Sequence, residues 1–451
     1  MSKSASSRDL GFWMCLALVI GNMIGASVFL LPASLAPYGV NSILGWLLTA
    51  AGSILLAIVF ARLARSYPDA AGPYVYPHKA FGEAVGFLTA WGYWMAVWIG
   101  NAAIVTGTVA YLAELVPAIK QTVGGPAIVS CAIIWILTFI NWRGVRQAGV
   151  LQIVTTALKL LPFLALVVLA VVLLGRGDAS VIRVDPQPLS LAAVTASATL
   201  TLWAFLGLES ATVPAGRVID PEKTIPRATL WGTAITTALY ILACSTVVLL
   251  LPTAQLAQST APFADVVRMF WGGNAATLFA LFAFIAGFGS LNGWVLVQGE
   301  MPATLARAGV FPKFFARQSK YQTPGTSLFI TGGLLTIVVL FNYSSSMVAV
   351  FTRMALISTL STLVTYLCCS LATLKLAWQG DLGVKGKSLG VLSTIAILGA
   401  IYSIWTIVGA GLEAFYWGIG LMLAGVPVYV AMKRLCRNEA VGELRRSNAS
   451  R

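Results

Sequence analysis

Charge is what this chain of 451 residues has least of: Asp, Glu, Lys and Arg make up 10% of it, and only 15 residues are acidic. Ordinary soluble domains carry roughly 25% charged residues, so that class is excluded. Histidine occurs once, at His78, and the six cysteines (Cys15, Cys131, Cys244, Cys368, Cys369 and Cys436) show no metal-ligand spacing. No cluster of carboxylates, histidines or cysteines offers a metal site or a nucleophile–base pair, which argues against an enzyme and against a cofactor. Long polar stretches are missing as well, so a soluble signalling domain is not expected.

What is present is apolar: 58% of the residues are hydrophobic and the mean hydropathy is +0.86. Apolar runs bounded by turn and charge clusters predict an all-α polytopic membrane protein with twelve spans. They cover about 11–35, 41–63, 83–114, 126–142, 151–174, 191–216, 229–252, 274–302, 325–343, 346–374, 389–409 and 412–432. The first run is too long for the core of a signal peptide and reads as a retained span. The formal net charge of +14 is scattered between the runs, which speaks for membrane topology and against a nucleic-acid partner. With alternate loops on alternate sides, 23 of the 29 basic residues share a side with both termini, whereas Lys120, Arg176, Arg183 and Arg268 lie opposite. Basic loops stay inside, so both termini are expected in the cytoplasm. Residues 1–10 read as a short cytoplasmic N-terminus and 433–451 as a basic tail able to touch anionic lipid. Tyr67–Gly82 reads as an ordered cytoplasmic loop, and Thr253–Asn274 as an external connection punctuated by Pro252 and Pro262.

Inside span one, Gly21-Asn22-Met23-Ile24-Gly25-Ala26-Ser27-Val28-Phe29 puts glycine, small residues and an amide at mid-membrane depth. Such a stretch either packs helices tightly or breaks a helix that lines a cavity. Span six has a counterpart in Trp203-Ala204-Phe205-Leu206-Gly207-Leu208-Glu209-Ser210. Interruptions at matching positions of two five-helix halves point to a transporter site at a repeat interface. Glu209 is the one carboxylate well inside a span, where an isolated charge costs a few kcal/mol, about 3 or more, unless it is paired, protonated or hydrated. Lys159 lies too deep in span five for easy snorkelling and is suited to holding a broken helix in place of a bound sodium ion. Arg353 is read as a snorkelling or gating charge, and His78 as a solvated histidine of the cytoplasmic loop. Tyr93, Trp94, Trp98 and Asn101 of span three, Trp203 and Phe205 of span six, Trp294 of span eight, and Ser358, Thr362 and Tyr366 of span ten are the polar and aromatic candidates. Trp203 and Trp294 stand out because they adjoin breaks or glycines, and an indole face is the best aromatic partner for a cation.

These stretches, together with Leu30-Leu31-Pro32-Ala33, Gly72-Pro73-Tyr74-Val75-Tyr76, Asp220-Pro221 and Gly289-Ser290-Leu291, resemble the amino acid–polyamine–organocation (APC) superfamily. The likeness runs almost end to end and is greatest to bacterial arginine/agmatine antiporters. It implies a LeuT-like fold in which residues 11–374 form an inverted five-plus-five repeat with broken helices 1 and 6, and 375–432 add two extra helices. It also implies a bacterial inner-membrane location and a homodimer. By that resemblance the substrate's amino-acid end meets the backbones around Ile24, Gly25, Ala26 and Ser27 and around Trp203–Leu206. Its side chain lies beside Trp294, with Ala96, Asn101 and Ser358 nearby. Trp203 matches an occluding position, Asn22, Tyr93, Glu209 and Tyr366 match gate positions, and Tyr74 matches one linked to pH response. Two positions depart from the pattern: Gly25-Ala26-Ser27 replaces a Gly-Ser-Gly, and Lys159 replaces an apolar residue. The leading expectation is exchange of a cationic amino acid for its amine, arginine for agmatine, which would export a proton equivalent and suit acid resistance. The departures motivate a rival, proton-coupled symport or exchange of neutral amino acids. A sensor that binds an amino acid without moving it is the rival from another class.

Overall fold

A computed structural model describes residues 11–68, 72–177, 182–183, 187–212, 218–342 and 345–434, without the side chains of 26, 27, 145–157, 174 and 211. The expected N-terminus at 1–10 and residues 435–451 of the expected tail, Cys436 included, lie outside the described residues.

Besides residues 425–434, which are helical as well, the described residues hold seventeen numbered α-helices. They are α1 (Phe12–Met23), α2 (Leu31–Leu35), α3 (Asn41–Ser66), α4 (Val75–Phe81), α5 (Glu83–Leu115), α6 (Ala118–Gln121), α7 (Gly125–Arg143), α8 (Val145–Arg176), α9 (Leu191–Leu202), α10 (Pro221–Leu250), α11 (Thr253–Gln258), α12 (Pro262–Trp271), α13 (Gly273–Arg307), α14 (Gly325–Phe341), α15 (Met347–Gln379), α16 (Gly386–Gly409) and α17 (Gly411–Leu423). Among the described residues, eight helices are long and apolar enough to cross a membrane: α3, α5, α7, α10, α13, α15, α16 and the stretch Gly411–Arg434 that α17 begins. Four shorter apolar helical stretches accompany them, Phe12–Met23, Leu158–Leu173, Leu191–Phe205 and Gly325–Phe341. Two of these end where the sequence places its interruptions.

Several elements differ from the expectation in extent. α10 starts at Pro221, eight residues before the apolar run at 229, because Pro221 and Glu222 suit a helical first turn even though they are polar or rigid. The connection expected across Thr253–Asn274 instead folds into α11 and α12, with Pro252 just before one helix and Pro262 opening the other. Prolines taken as punctuation are therefore helix starts. Likewise α4 occupies most of the described part of the expected loop Tyr67–Gly82, ending at Gly82 with φ +88°.

The packing has a reciprocal pattern. α1 packs on α10 and α9 on α3; α8 packs on α13 and α15 on α5; α3 also packs on α10, and α5 on α13. The most enclosed helix is α5, whose residues from Thr89 to Ala110 are all buried. A helix surrounded by protein rather than lipid is free to carry polar groups inward, and α5 does so with Tyr93 and Asn101.

Candidate functional site

The site begins where α1 stops. Ile24 leaves the helix with φ −78° and ψ 101°, after its N–H has bonded the Ile20 carbonyl at 2.9 Å. A helix end leaves four carbonyls without intrahelical donors, and in a membrane interior no water replaces them. Here each has a side-chain partner. The Lys159 ammonium donates to the Gly21 carbonyl, and to that of Ile24 at 2.9 Å. Trp294 Nε1 donates to Asn22 O at 3.3 Å, and the Tyr240 hydroxyl to Met23 O at 2.7 Å. Lys159 is fully buried and has no carboxylate partner among the described residues. The negative end of the α1 dipole takes the place of a counter-ion.

The second break follows α9. A single 3₁₀ turn, Trp203–Phe205, leads to Leu206 in an extended conformation (ψ 135°) and to Gly207 at φ +102°. Only glycine adopts that backbone freely. It also delivers Glu209 into the protein interior, fully buried. Its carboxylate accepts from the Tyr93 hydroxyl at 2.5 Å and from the Tyr366 hydroxyl, tying α5 and α15 to the break. Among the described residues no basic side chain pairs with Glu209.

The two breaks meet across Trp294. A Cβ on Gly207 would stand 3.2 Å from Trp294 Cζ2 and 3.3 Å from the Asn22 carbonyl carbon. Between the breaks, α5, α13 and α15 lies a cavity with about 450 Å³ of atom-free space, its open side included. Asn22, Gly25, Tyr93, Ala96, Asn101, Trp203, Leu206, Glu209, Trp294 and Ser358 line it, so ten of the expected residues converge on one space.

The others sit elsewhere. Ile24 does not line the cavity, and its N–H and carbonyl are bonded to Ile20 and Lys159. Gly25 carries that edge of the break. The side chains of Ala26 and Ser27 lie outside the described residues. Lys159 stands behind the first break and Tyr366 behind Glu209, each acting on the cavity through another group. Tyr74 lines a separate crevice with His78, Glu83 and Lys433. Trp94 and Trp98 are buried off the cavity, and Arg353 pairs with Glu413 at 3.1 Å.

Five lining residues were not foreseen as candidates, Met23, Val97, Gly100, Ile104 and Ser290, while Thr362, a polar candidate of span ten, is an eleventh expected residue on the cavity. The signal was in the helical period. Positions 93, 96, 97, 100, 101 and 104 form one stripe of α5, so Tyr93, Ala96 and Asn101 already imply the rest. Ser290 precedes Trp294, and Thr362 follows Ser358, by one turn.

The chain matches the family described as amino acid permease over residues 10–432. It is 33% identical to a proposed arginine/ornithine antiporter of Bacillus subtilis (strain 168), over 94% of this chain and 97% of that one. An arginine/agmatine antiporter of Chlamydia pneumoniae is 31% identical over 95% of this chain and 91% of its own. A cadaverine/lysine antiporter of Escherichia coli (strain K12) is 34% identical over 74% of each chain.

Proposed function

The chain belongs to the amino acid permease family, and from that premise we propose that it is a secondary transporter exchanging a cationic amino acid for a related amine or amino acid by alternating access. Arginine for agmatine is the best single pair, with contribution to acid resistance as the physiological outcome. The observation that carries the reading is the cavity between the two helix breaks, bounded by Trp203 and Trp294 and containing Glu209. Two indoles can hold a guanidinium or ammonium by cation–π attraction, worth about 2 kcal/mol when desolvated. The substrate's ammonium and carboxylate would engage the broken-helix ends, whose dipoles favour opposite charges. Among the named relatives, all three are antiporters and their substrates are cationic amino acids or the corresponding amines.

The architecture proposed for this cycle is twelve spans in a bacterial inner membrane, arranged as a LeuT-like five-plus-five inverted repeat plus two helices, with both termini cytoplasmic. The reciprocal packing supports the repeat. Exchanging span one with six, two with seven, three with eight and five with ten turns the α1–α10 pair into α9–α3, and the α8–α13 pair into α15–α5. Association as a homodimer remains part of the proposal.

Liposome uptake tests it. Labelled arginine should enter vesicles loaded with arginine or agmatine and not empty ones; uptake independent of internal substrate would sink the exchange reading. Proton-coupled transport of neutral amino acids is the second reading, favoured by the Lys159 amine bonded at the first break. A pH gradient driving uptake of a neutral amino acid into otherwise empty vesicles would select it.

A further inference from the structure

Asn101 lines the cavity, but its carboxamide is turned toward a residue that does not. Asn101 Nδ2 donates to Gln298 Oε1 at 2.6 Å, and both side chains are fully buried. Gln298 lies one turn beyond Trp294 on α13, on the stripe of Ser290 and Trp294, but beyond the cavity wall. With Nδ2 engaged, Asn101 Oδ1 has no protein partner, and neither has Gln298 Nε2. A buried carboxamide oxygen without a donor costs free energy that a ligand can recover.

We propose that Gln298 determines the preference for a cationic side chain, by holding the Asn101 carboxamide with its Oδ1 free for the cavity. This rests on the reading of the cavity as an amino-acid site. Guanidinium and alkylammonium groups are donors only, with no acceptor to offer. They are complemented by a free carbonyl oxygen and repelled by an amide NH₂. A pair of carboxamides has one other matched setting, in which Gln298 Nε2 donates to Asn101 Oδ1 and the Asn101 NH₂ faces the cavity. That setting would suit a neutral side chain ending in a carbonyl. The structure holds the first of the two, with Gln298 Oε1 taking the Asn101 NH₂. Gln298 is therefore a positioning residue: it acts through Asn101 and need not touch substrate.

The test uses the full chain in proteoliposomes, with citrulline competing against labelled arginine. Citrulline has the shape of arginine but carries a carbonyl oxygen in place of one guanidinium nitrogen, and no charge. Gln298→Met removes the partner at similar volume, while Gln298→Glu keeps an acceptor for Asn101 Nδ2. The ratio of arginine to citrulline affinity should fall about tenfold in Q298M, the worth of one hydrogen bond to a charged group, and persist in Q298E. In an Asn101→Ala background, Q298M should change the ratio no further. An unchanged ratio in Q298M, or a further change in the Asn101→Ala background, overturns the inference. Should Q298M fail to fold, Q298E carries the test: a kept or raised ratio supports the proposal and a lost one overturns it. A wild-type protein that takes arginine and citrulline equally, or neither, overturns the reading of the site together with the inference. A wild type that prefers arginine alongside a Q298M variant that does the same overturns the inference alone.

Discussion

Gly100 and Trp203 are fitted to one another: a Cβ on Gly100 would lie 2.8 Å from Trp203 Cη2 and 3.1 Å from Cζ3. The same Cβ would lie 2.8 Å from Ser358 Oγ, which itself donates to Ala96 O at 2.7 Å. The indole can lie against α5 only because residue 100 has no side chain. Gly100→Ala should keep the fold and expression but hold Trp203 off α5. Overpacking costs about 1 to 3 kcal/mol, so exchange should slow by about tenfold. Wild-type uptake by this variant would mean that the Trp203 position is irrelevant to the cycle.

Lys159→Met keeps the volume of the stem and removes the donor, leaving the Gly21 and Ile24 carbonyls without their partner. Each buried acceptor stripped of its donor costs about 1 to 3 kcal/mol. Removing a buried charge works in the other direction. We expect the loss of caps to dominate, because two carbonyls depend on one ammonium. The readouts are a lower thermal unfolding midpoint in detergent and weaker substrate binding. An unchanged or raised midpoint would show that the ammonium is a burden on stability and not a brace.

Tyr93 and Tyr366 share the Glu209 carboxylate from two helices. Removing one hydroxyl leaves the other, whereas removing both leaves a buried carboxyl without either side-chain donor. Tyr93→Phe and Tyr366→Phe should therefore destabilise more together than the sum of the singles, by a coupling of about 0.5 to 3 kcal/mol. Denaturation of the four proteins measures it, and strict additivity would contradict a shared anchor.

Trp294 has two separable jobs, a ring face on the cavity and an N–H on the Asn22 carbonyl. Trp294→Ala should abolish the preference for guanidinium over neutral substrates in a competition panel. Trp294→Phe should keep part of that preference while losing stability through the uncapped carbonyl. Equal behaviour of the two variants would refute the division.

Burial pushes the Tyr74 phenol above its ordinary value of 10.0. The phenolate is the charged form, so a raised value keeps the hydroxyl neutral from acid to mildly alkaline pH. A pH response passing through Tyr74 cannot then come from its ionisation below that value. Tyr74→Phe should leave the pH midpoint of transport in place, even if it changes the rate. A shifted midpoint would tie the response to the hydroxyl.

The membrane-spanning character and both breaks were legible because they rest on composition and on residues with strong backbone preferences. Gly207 at φ +102° is such a residue. The cavity was legible to the extent that its residues are chemically conspicuous, as Trp203, Trp294, Asn101 and Glu209 are. Gly100 and Val97 escaped notice because a glycine or valine carries no chemical signal until a neighbour on the same stripe supplies one. Apart from Lys159, whose depth marked it as a brace for a broken helix, pairing between distant helices was not read. Nothing in the sequence announces that Tyr240 caps Met23, or that Gln298 meets Asn101. The expected loop at Thr253–Asn274 failed for a different reason. Proline is compatible both with a turn and with the first residue of a helix, and α12 uses it as the latter.

The donors that close the end of α1 are far away along the chain. Lys159 stands 138 residues beyond Gly21, Tyr240 217 residues beyond Met23, and Trp294 272 residues beyond Asn22. The break at the end of α1 is thus completed only by segments made much later. Two of the four carbonyls wait for Lys159, one for Tyr240 and one for Trp294, and until its donor is made each must stay hydrated, find a temporary donor, or be hidden by continuing the helix. Biogenesis therefore carries a timing constraint that the finished protein conceals: a chain truncated before Lys159 has every residue of α1 and none of the side chains that hold its break.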